Sequence, residues 1–172
     1  MTYNYKPIVD IFTDIVTDVR AKYNVTDGDA PYYLYGHPVE IVNILSKKTN
    51  NSTLKFKKFP LIVLFMDFAE DVQPEGRNVS LRLAIVTDTK PTFYTADRYT
   101  NTFKTVLYPI WELLHQAILD SNYIDSVSLA YAKTDRPYWG RQGLYGNEGN
   151  IFNDFVDAIE IDNLEITINE NC

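Results

Sequence analysis

The sequence is short of reactive side chains: one cysteine, two histidines and seven glycines in 172 residues. The one cysteine, Cys172, is the last residue, so no internal disulfide and no multi-cysteine metal site can form. His37 and His115 stand 78 positions apart, too few and too scattered to nucleate a metal centre on their own. No apolar run approaches the roughly 18 residues of a membrane helix. The longest, Pro60 to Met66, has the length of a strand. Positive charge is also in deficit, with 16 Lys and Arg against 23 Asp and Glu and a net charge of −7, which disfavours broad attraction to a nucleic acid backbone. No GxSxG elbow, HExxH pair or Walker A lysine loop is present, so the commonest hydrolase and nucleotide-binding signatures are missing. The first ten residues are polar and Tyr-rich and carry no secretory signal, so the expectation is an intracellular chain with no membrane partner and no cofactor.

Apolar residues make up 45% and aromatics 14% of the chain, enough for one globular domain over residues 1–172. Ile8, Ile11, Phe12, Ile15, Val19 and Tyr23 recur at spacings of three and four and predict an amphipathic helix. After the turn residues Asp27, Gly28 and Asp29, the segment Tyr32 to Tyr35 has strand composition and closes at Gly36. Val39 to Lys48 fits a short helix better than a strand, with Pro38 at its first position. Phe59 to Phe68 is the strongest strand signal, apolar enough for burial on both faces. A turn at Gln73 to Gly76 leads to a second strand over Val79 to Thr87, an antiparallel hairpin with a long loop.

Tyr99, Phe103, Val106, Leu107, Ile110, Leu114 and Ile118 predict a long core helix in which Pro109 either makes a kink or marks the start of the regular part. Val127 to Thr134 alternates as a strand. Phe155 to Ile168 is another, with a bulge or turn at Asp162 and Asn163. The expected architecture is α+β: a mostly antiparallel sheet of about four to six strands, covered on one face by two long helices.

Two segments stand apart. The loop 46–58 is basic, with Lys47, Lys48, Lys55, Lys57 and Lys58 and no acid between them, whereas Glu148 to Cys172 holds six further acids and no base. These segments either touch within one subunit or join the basic loop of one copy to the acidic strand of the next, a head-to-tail contact able to close into a ring. The loop 135–150 holds four of the seven glycines, at Gly140, Gly143, Gly146 and Gly149, with Tyr138, Trp139, Arg141, Leu144 and Tyr145 among them. Spacing and context fit neither a dinucleotide cradle nor a triple helix. A plain surface loop competes with an adaptable contact surface, since bulky aromatics and Arg are enriched at interfaces.

The order of elements resembles that of the tail terminator and neck ring proteins of tailed bacteriophages. The resemblance is carried by the N-terminal amphipathic helix, YLYGHPVEIVNIL from Tyr33, KFPLIVLFMDF from Lys58 and LRLAIVTDT from Leu81. TVLYPIWELLHQAI from Thr105 and DAIEIDNLEITI from Asp157 complete it. It implies a non-catalytic structural subunit that packs into a six- or twelve-fold homo-oligomeric ring between portal or connector proteins and tail proteins, in the virion neck or tail. DNA would pass through such a ring without specific binding. It also implies loops that reach neighbouring subunits, for which 46–58 and 135–150 are the candidates.

Two other readings compete. A ligand- or glycan-binding module would use Tyr32, Tyr33, Tyr35, Tyr138 and Trp139, because aromatic faces stack on sugars. A metal-dependent nuclease would use Asp67, Asp71 or Asp88, although the acid-plus-lysine element of such sites is missing after these acids.

Overall fold

The computed structural model of the chain describes residues 5–23, 30–51, 58–74, 76–141 and 154–169. The first apolar stripe forms helix α1, Ile8–Lys22, which buries Ile8, Ile11, Phe12, Ile15, Val16 and Val19. Strand β1 is Tyr32–Gly36 and helix α2 is Pro38–Thr49. The turn residue between them, His37, caps α2: its Nδ1 accepts from the Val39 N–H at 3.3 Å, and Pro38 pre-sets the first helical turn. Strands β2, Leu61–Phe65, β3, Glu70–Gln73, and β4, Gly76–Asp88, follow.

A helical rod then runs from Thr95 to Leu119 in three parts: α3, Thr95–Arg98; a wider π-helical stretch, Tyr99–Leu107; and α4, Tyr108–Leu119. Proline cannot donate in a helix, and its ring crowds the carbonyl four residues back. The turns before Pro109 widen accordingly, with Tyr108 N–H donating to the Phe103 carbonyl five residues back. Pro109 therefore marks the start of the regular helix. Strands β5, Ile124–Arg136, and β6, Val156–Asn169, complete the domain.

The six strands form one sheet in the order β1-β2-β4-β6-β5, with β3 beside the first half of β4. β2 and β4 make the expected antiparallel pair, and their connection contains β3, which the sequence reading passed over as loop. The sheet has six strands, within the expected range, and is mostly antiparallel, but one pairing departs from that pattern: β1 runs parallel to β2. A parallel pair needs a crossover connection, and α2 supplies it. Helices consequently lie on both faces rather than one.

On the first face α1, the π-helical stretch and α4 cover Ile62, Leu64, Leu81, Leu83, Ile85, Ile159 and Ile161; on the second, Ile41 and Leu45 of α2 cover Leu61, Val63, Ala84, Val86 and Ala158. β2 is thus buried on both sides, which is why it is apolar without alternation.

The predicted irregularity in β6 is present. Pairing with β4 slips between Leu81 and Leu83, and Asn163 takes a φ of 53°. Before the slip the core-facing residues are Ile159 and Ile161; after it they are Leu164, Ile166 and Ile168. A strand of strict period two cannot bury both sets, so the bulge turns the second half of β6 back to the same core.

At the other end of the same ladder, a Cβ on Gly76 would stand 2.4 Å from the Ile168 carbonyl oxygen. Backbone cannot yield there as a flexible side chain could. Gly76→Ala is expected to cost about 1–3 kcal/mol of stability in urea titrations, while Ser80→Ala, at an exposed position of the same strand, stays near wild type.

Candidate functional site

The basic segment divides in two. Lys47 and Lys48 belong to the last turn of α2, where cations complement the helix dipole, so the segment opens as helix rather than loop. Lys47 is exposed. Lys48 places its Nζ 5.7 Å from the Tyr32 ring, and the Arg20 guanidinium stands 5.9 Å from that same ring. Lys58 is turned inward in the subunit: it is 5% exposed, and its Nζ lies 2.6 Å from Asp154. One basic residue therefore meets the acidic C-terminal segment inside the subunit. An ammonium this buried is held by its ion partner rather than offered to a neighbour. Lys55 and Lys57 lie outside the described residues.

The aromatic segment is also more committed than a loop. Strand β5 extends through Arg136, and the turn after it is tied down on several sides. Tyr138 adopts a φ of 57°, donates its N–H to Asp157 at 2.9 Å and lays its ring 3.6 Å from the Arg98 guanidinium. Trp139 packs against the smaller core and donates its Nε1–H to Glu160 at 2.8 Å. The Arg141 guanidinium sits 3.7 Å over the Phe155 ring. Tyr138, Trp139 and Arg141 are each held by an ion, a ring or the core, while Tyr138 stays exposed. Tyr145 and the glycines Gly143, Gly146 and Gly149 lie outside the described residues.

Beneath this turn is a cleft of about 530 Å³, walled by Ile41 and Val42 of α2, Phe65, Trp139 and the guanidiniums of Arg82 and Arg136. Both guanidiniums are partnered, Arg82 with Asp67 at 2.5 Å and Arg136 with Glu160 at 2.6 Å. The Tyr residues proposed for a glycan shelf do not share one surface. Tyr32 packs on the smaller core, Tyr33 on the larger core across the sheet, and Tyr35 is half exposed. The nuclease carboxylates are likewise dispersed. Asp71 is level with Asn78 near the start of β4, and Asp88 ends that strand ten residues on, about 33 Å away at strand rise. Among the described residues no group of three or more His, Cys, Asp or Glu side chains could hold a metal ion. Nor is any described helix long and apolar enough to cross a membrane.

His115 is satisfied within the fold. Its Nδ1 lies 2.8 Å from the Tyr131 hydroxyl, which also accepts from Trp111 Nε1 at 3.2 Å. These groups bind α4 to β5.

Sequence reasoning missed two buried arginines. Arg98 ends α3, bonds Asp157 at 2.5 Å and donates to the Phe93 carbonyl at 3.0 Å. Thr102 adds a hydroxyl bond to the other Asp157 oxygen at 3.0 Å. Arg77, fully buried, pairs with Glu70 and donates to the Lys6 carbonyl at 2.6 Å. Arg77 carried a legible signal, since it shares the phase of Val79, Leu81, Leu83 and Ile85 along β4. Arg98 carried none.

Removing one partner of a buried ion pair strands the other, so Arg98→Ala is expected to cost about 3–5 kcal/mol, read as a lower urea midpoint and as release of the turn at Tyr138. A second expectation concerns alkali. The Asp135 carboxylate, with burial second, pushes the Tyr108 phenol up to about 12, and burial raises Tyr23, Tyr33 and Tyr131. Raised phenol values mean that the folded state favours the proton. This contribution is complete below the ordinary phenol value of about 10 and is lost as pH climbs through the folded values. Stability should therefore fall from pH 10 to pH 12, followed by thermal melts alongside tyrosinate absorbance.

No protein-family model matches this sequence, and no curated protein matches it significantly.

Proposed function

We propose that the chain is a structural subunit which assembles with copies of itself into a ring at the head-to-tail junction of a tailed phage, between portal or connector and tail proteins. In this reading DNA passes through without specific grip, and no chemistry is performed. The order of elements is helix, strand, helix, three strands, long helix, two strands.

The observation that carries it is the distribution of charge over the sheet. Exposed Lys47, with Lys48 beside it, sits at the β1 corner on the face that α2 covers. At the diagonally opposite corner of that face, over β3, β4, β6 and β5, no described helix covers the sheet. A concave surface there exposes Asp71 and Glu165 among Asn78, Ser80, Ala130 and Thr167. Opposite charges at opposite ends of one subunit favour head-to-tail association, which becomes a ring when the rotation closes. The cleft under Trp139 favours a second reading, a small-ligand site, whose test is a heat of binding to soluble glycans that Trp139→Ala abolishes.

Light scattering across a concentration series should report a six- or twelve-fold species at low salt that dissociates at high salt, because exposed charges are screened within about 10 Å at 0.1 M salt. The double variant Lys47→Glu with Lys48→Glu should lower the assembled fraction at least several-fold while its melting temperature stays near wild type. Lys58 is left intact in this variant because its role is internal. A strict monomer at every concentration, or unchanged assembly of the double variant, would count against the reading and its charge argument respectively.

A further inference from the structure

Among the described residues the sheet has three open edges, the outer sides of β1, β3 and β5, and they differ in chemistry. β3 is four residues long and carries Glu70 and Asp71. β5 has charges toward both ends and breaks register twice against β6. Native sheets guard their edges with short strands, charges, prolines or bulges, because an unguarded edge templates pairing with another chain. β1 reads Tyr-Tyr-Leu-Tyr-Gly, with no charge and no bulge, and pairs with β2 in unbroken register. Tyr35 is 50% exposed on it, with the ring of Tyr33 5.9 Å away on the same face.

The backbone shows which groups are offered. Tyr32 N–H donates to the Pro60 carbonyl, and the Gly36 carbonyl accepts from Met66 N–H. In a parallel ladder alternate residues face the partner strand, so Tyr32, Leu34 and Gly36 address β2. The N–H and C=O groups of Tyr33 and Tyr35 point away from the sheet. The flank of α2 above this edge is as regular as the strand. Val42 turns toward the cleft, and Glu40, Ile44 and Lys47, at spacings of four and three, share the opposite flank. The Glu40 carboxylate lies over Gly36, since a Cβ there would stand 2.9 Å from its Oε2. At the other end of the helix Lys48 lies beside the Tyr32 ring, which puts exposed Lys47 at the Tyr32 end of the strand. The edge therefore has an acid at one end, a base at the other and apolar side chains between.

We infer that β1 pairs with β1 of a second copy, antiparallel, in a two-fold dimer. A two-fold axis in this edge reverses the strand, so only an edge that complements its own reverse suits it. With the axis through Leu34, the middle residue of β1, Tyr33 meets the partner's Tyr35 and Tyr35 meets the partner's Tyr33. Each is a pair that exchanges both backbone hydrogen bonds, and together they use every N–H and C=O that the two strands turn outward. An axis through Tyr33 would set Pro31, which has no N–H, against Tyr35. One through Tyr35 would set Tyr33 against His37, where the chain leaves the strand to cap α2. The central register also lays the four phenol rings in one row, which covers Tyr35. Strands in a sheet stand about 4.8 Å apart, so the two α2 helices run side by side with Ile44 near the axis and Glu40 of each copy facing Lys47 of the other. One arrangement thus satisfies the charges twice. The inference goes beyond the ring reading. The two-fold contact covers the Lys47 corner that head-to-tail association uses, so the dimer is the species that a ring releases at high salt, where exposed charges are screened and backbone pairing remains.

Sedimentation at high salt should give twice the 19.9 kDa mass of one chain. Tyr35→Pro deletes an N–H that points away from β2 and leaves that ladder complete, so it should raise the dimer dissociation constant about tenfold or more with unchanged circular dichroism. Tyr35→Lys, which places a guard on the same edge, is the second variant should proline perturb the fold. At moderate salt, Glu40→Lys protein and Lys47→Glu protein should each dimerise several-fold more weakly, and their mixture should recover, because every like-charge contact becomes an opposite one in the mixed pair. In a Cys172→Ser background, oxidised Leu34→Cys protein should close a disulfide across the axis, and Tyr35→Cys protein should not. Folded Tyr35→Pro and Tyr35→Lys variants that remain dimers would overturn the edge, and dimers in which Leu34→Cys stays reduced would overturn the register. A mixture no tighter than its parts would overturn the α2 contact. A monomer at high salt that forms a ring at low salt would overturn the dimer and leave the ring reading in place, whereas a dimer at every salt concentration would support the dimer and count against the ring.

Discussion

The arrangement depends on the buried pair of Arg98 and Asp157. Arg98 is 1% exposed and Asp157 not at all, and between them they bind four parts of the chain. The guanidinium takes the Phe93 carbonyl in the connection after β4 and carries the ring of Tyr138 on its face. The carboxylate sits on β6 and takes the Thr102 hydroxyl from the helical rod and the Tyr138 N–H from the turn after β5. A lone buried charge would cost several kcal/mol, but here each ion is held by the other and by further hydrogen bonds. Because Arg98 and Thr102 come from the helical rod and the Tyr138 N–H from the turn after β5, the network acts as a positional lock. It aligns the rod with β6 and fixes the start of the segment that carries Trp139 over the cleft.

A second constraint is the two-sided burial of β2 and of the adjoining halves of β4 and β6. Once both faces of these strands are apolar, helices must cover both, and the parallel connection through α2 is the shortest way to bring a helix to the second face. α2 reaches only the β1 side of that face. The remainder, over the first half of β4 and the second half of β6, is built from Asn78, Ser80, Glu165 and Thr167, which tolerate water. The division of the second face into a covered apolar part and an open polar part therefore follows from the lengths of α2 and β4.

Where periodicity was strong, the fold was legible. The stripe of α1, the unbroken apolar run of β2 and the alternation of β6 each predicted their element, and the residues at Asp162 and Asn163 foretold the bulge because the core phase changes across them. The parallel pairing of β1 was not legible, since Tyr-Tyr-Leu-Tyr-Gly suits either direction and only the position of α2 decides it. β3 was lost because Glu-Asp-Val-Gln has no strand composition and exists as a strand only by pairing with β4. The candidate site was read less well. Lys58 and Trp139 looked like surface residues because types common at interfaces also satisfy buried partners. The partners, Asp154 and Glu160, are distant in sequence and carry no local signal.

The edges of the sheet among the described residues differ in how they are guarded. A net charge of −7 keeps copies apart at long range. At short range the charges at the ends of β5 and the acids of β3 penalise pairings in the wrong register, because an unmatched charge opposite an apolar strand loses water without gaining a partner. β1 carries no charge of its own. Tyrosine gives β1 its strand propensity and its packing area on both faces: Tyr32 lays its ring on the smaller core, Tyr33 buries its ring and hydroxyl against the larger one, and Tyr35 stays half exposed.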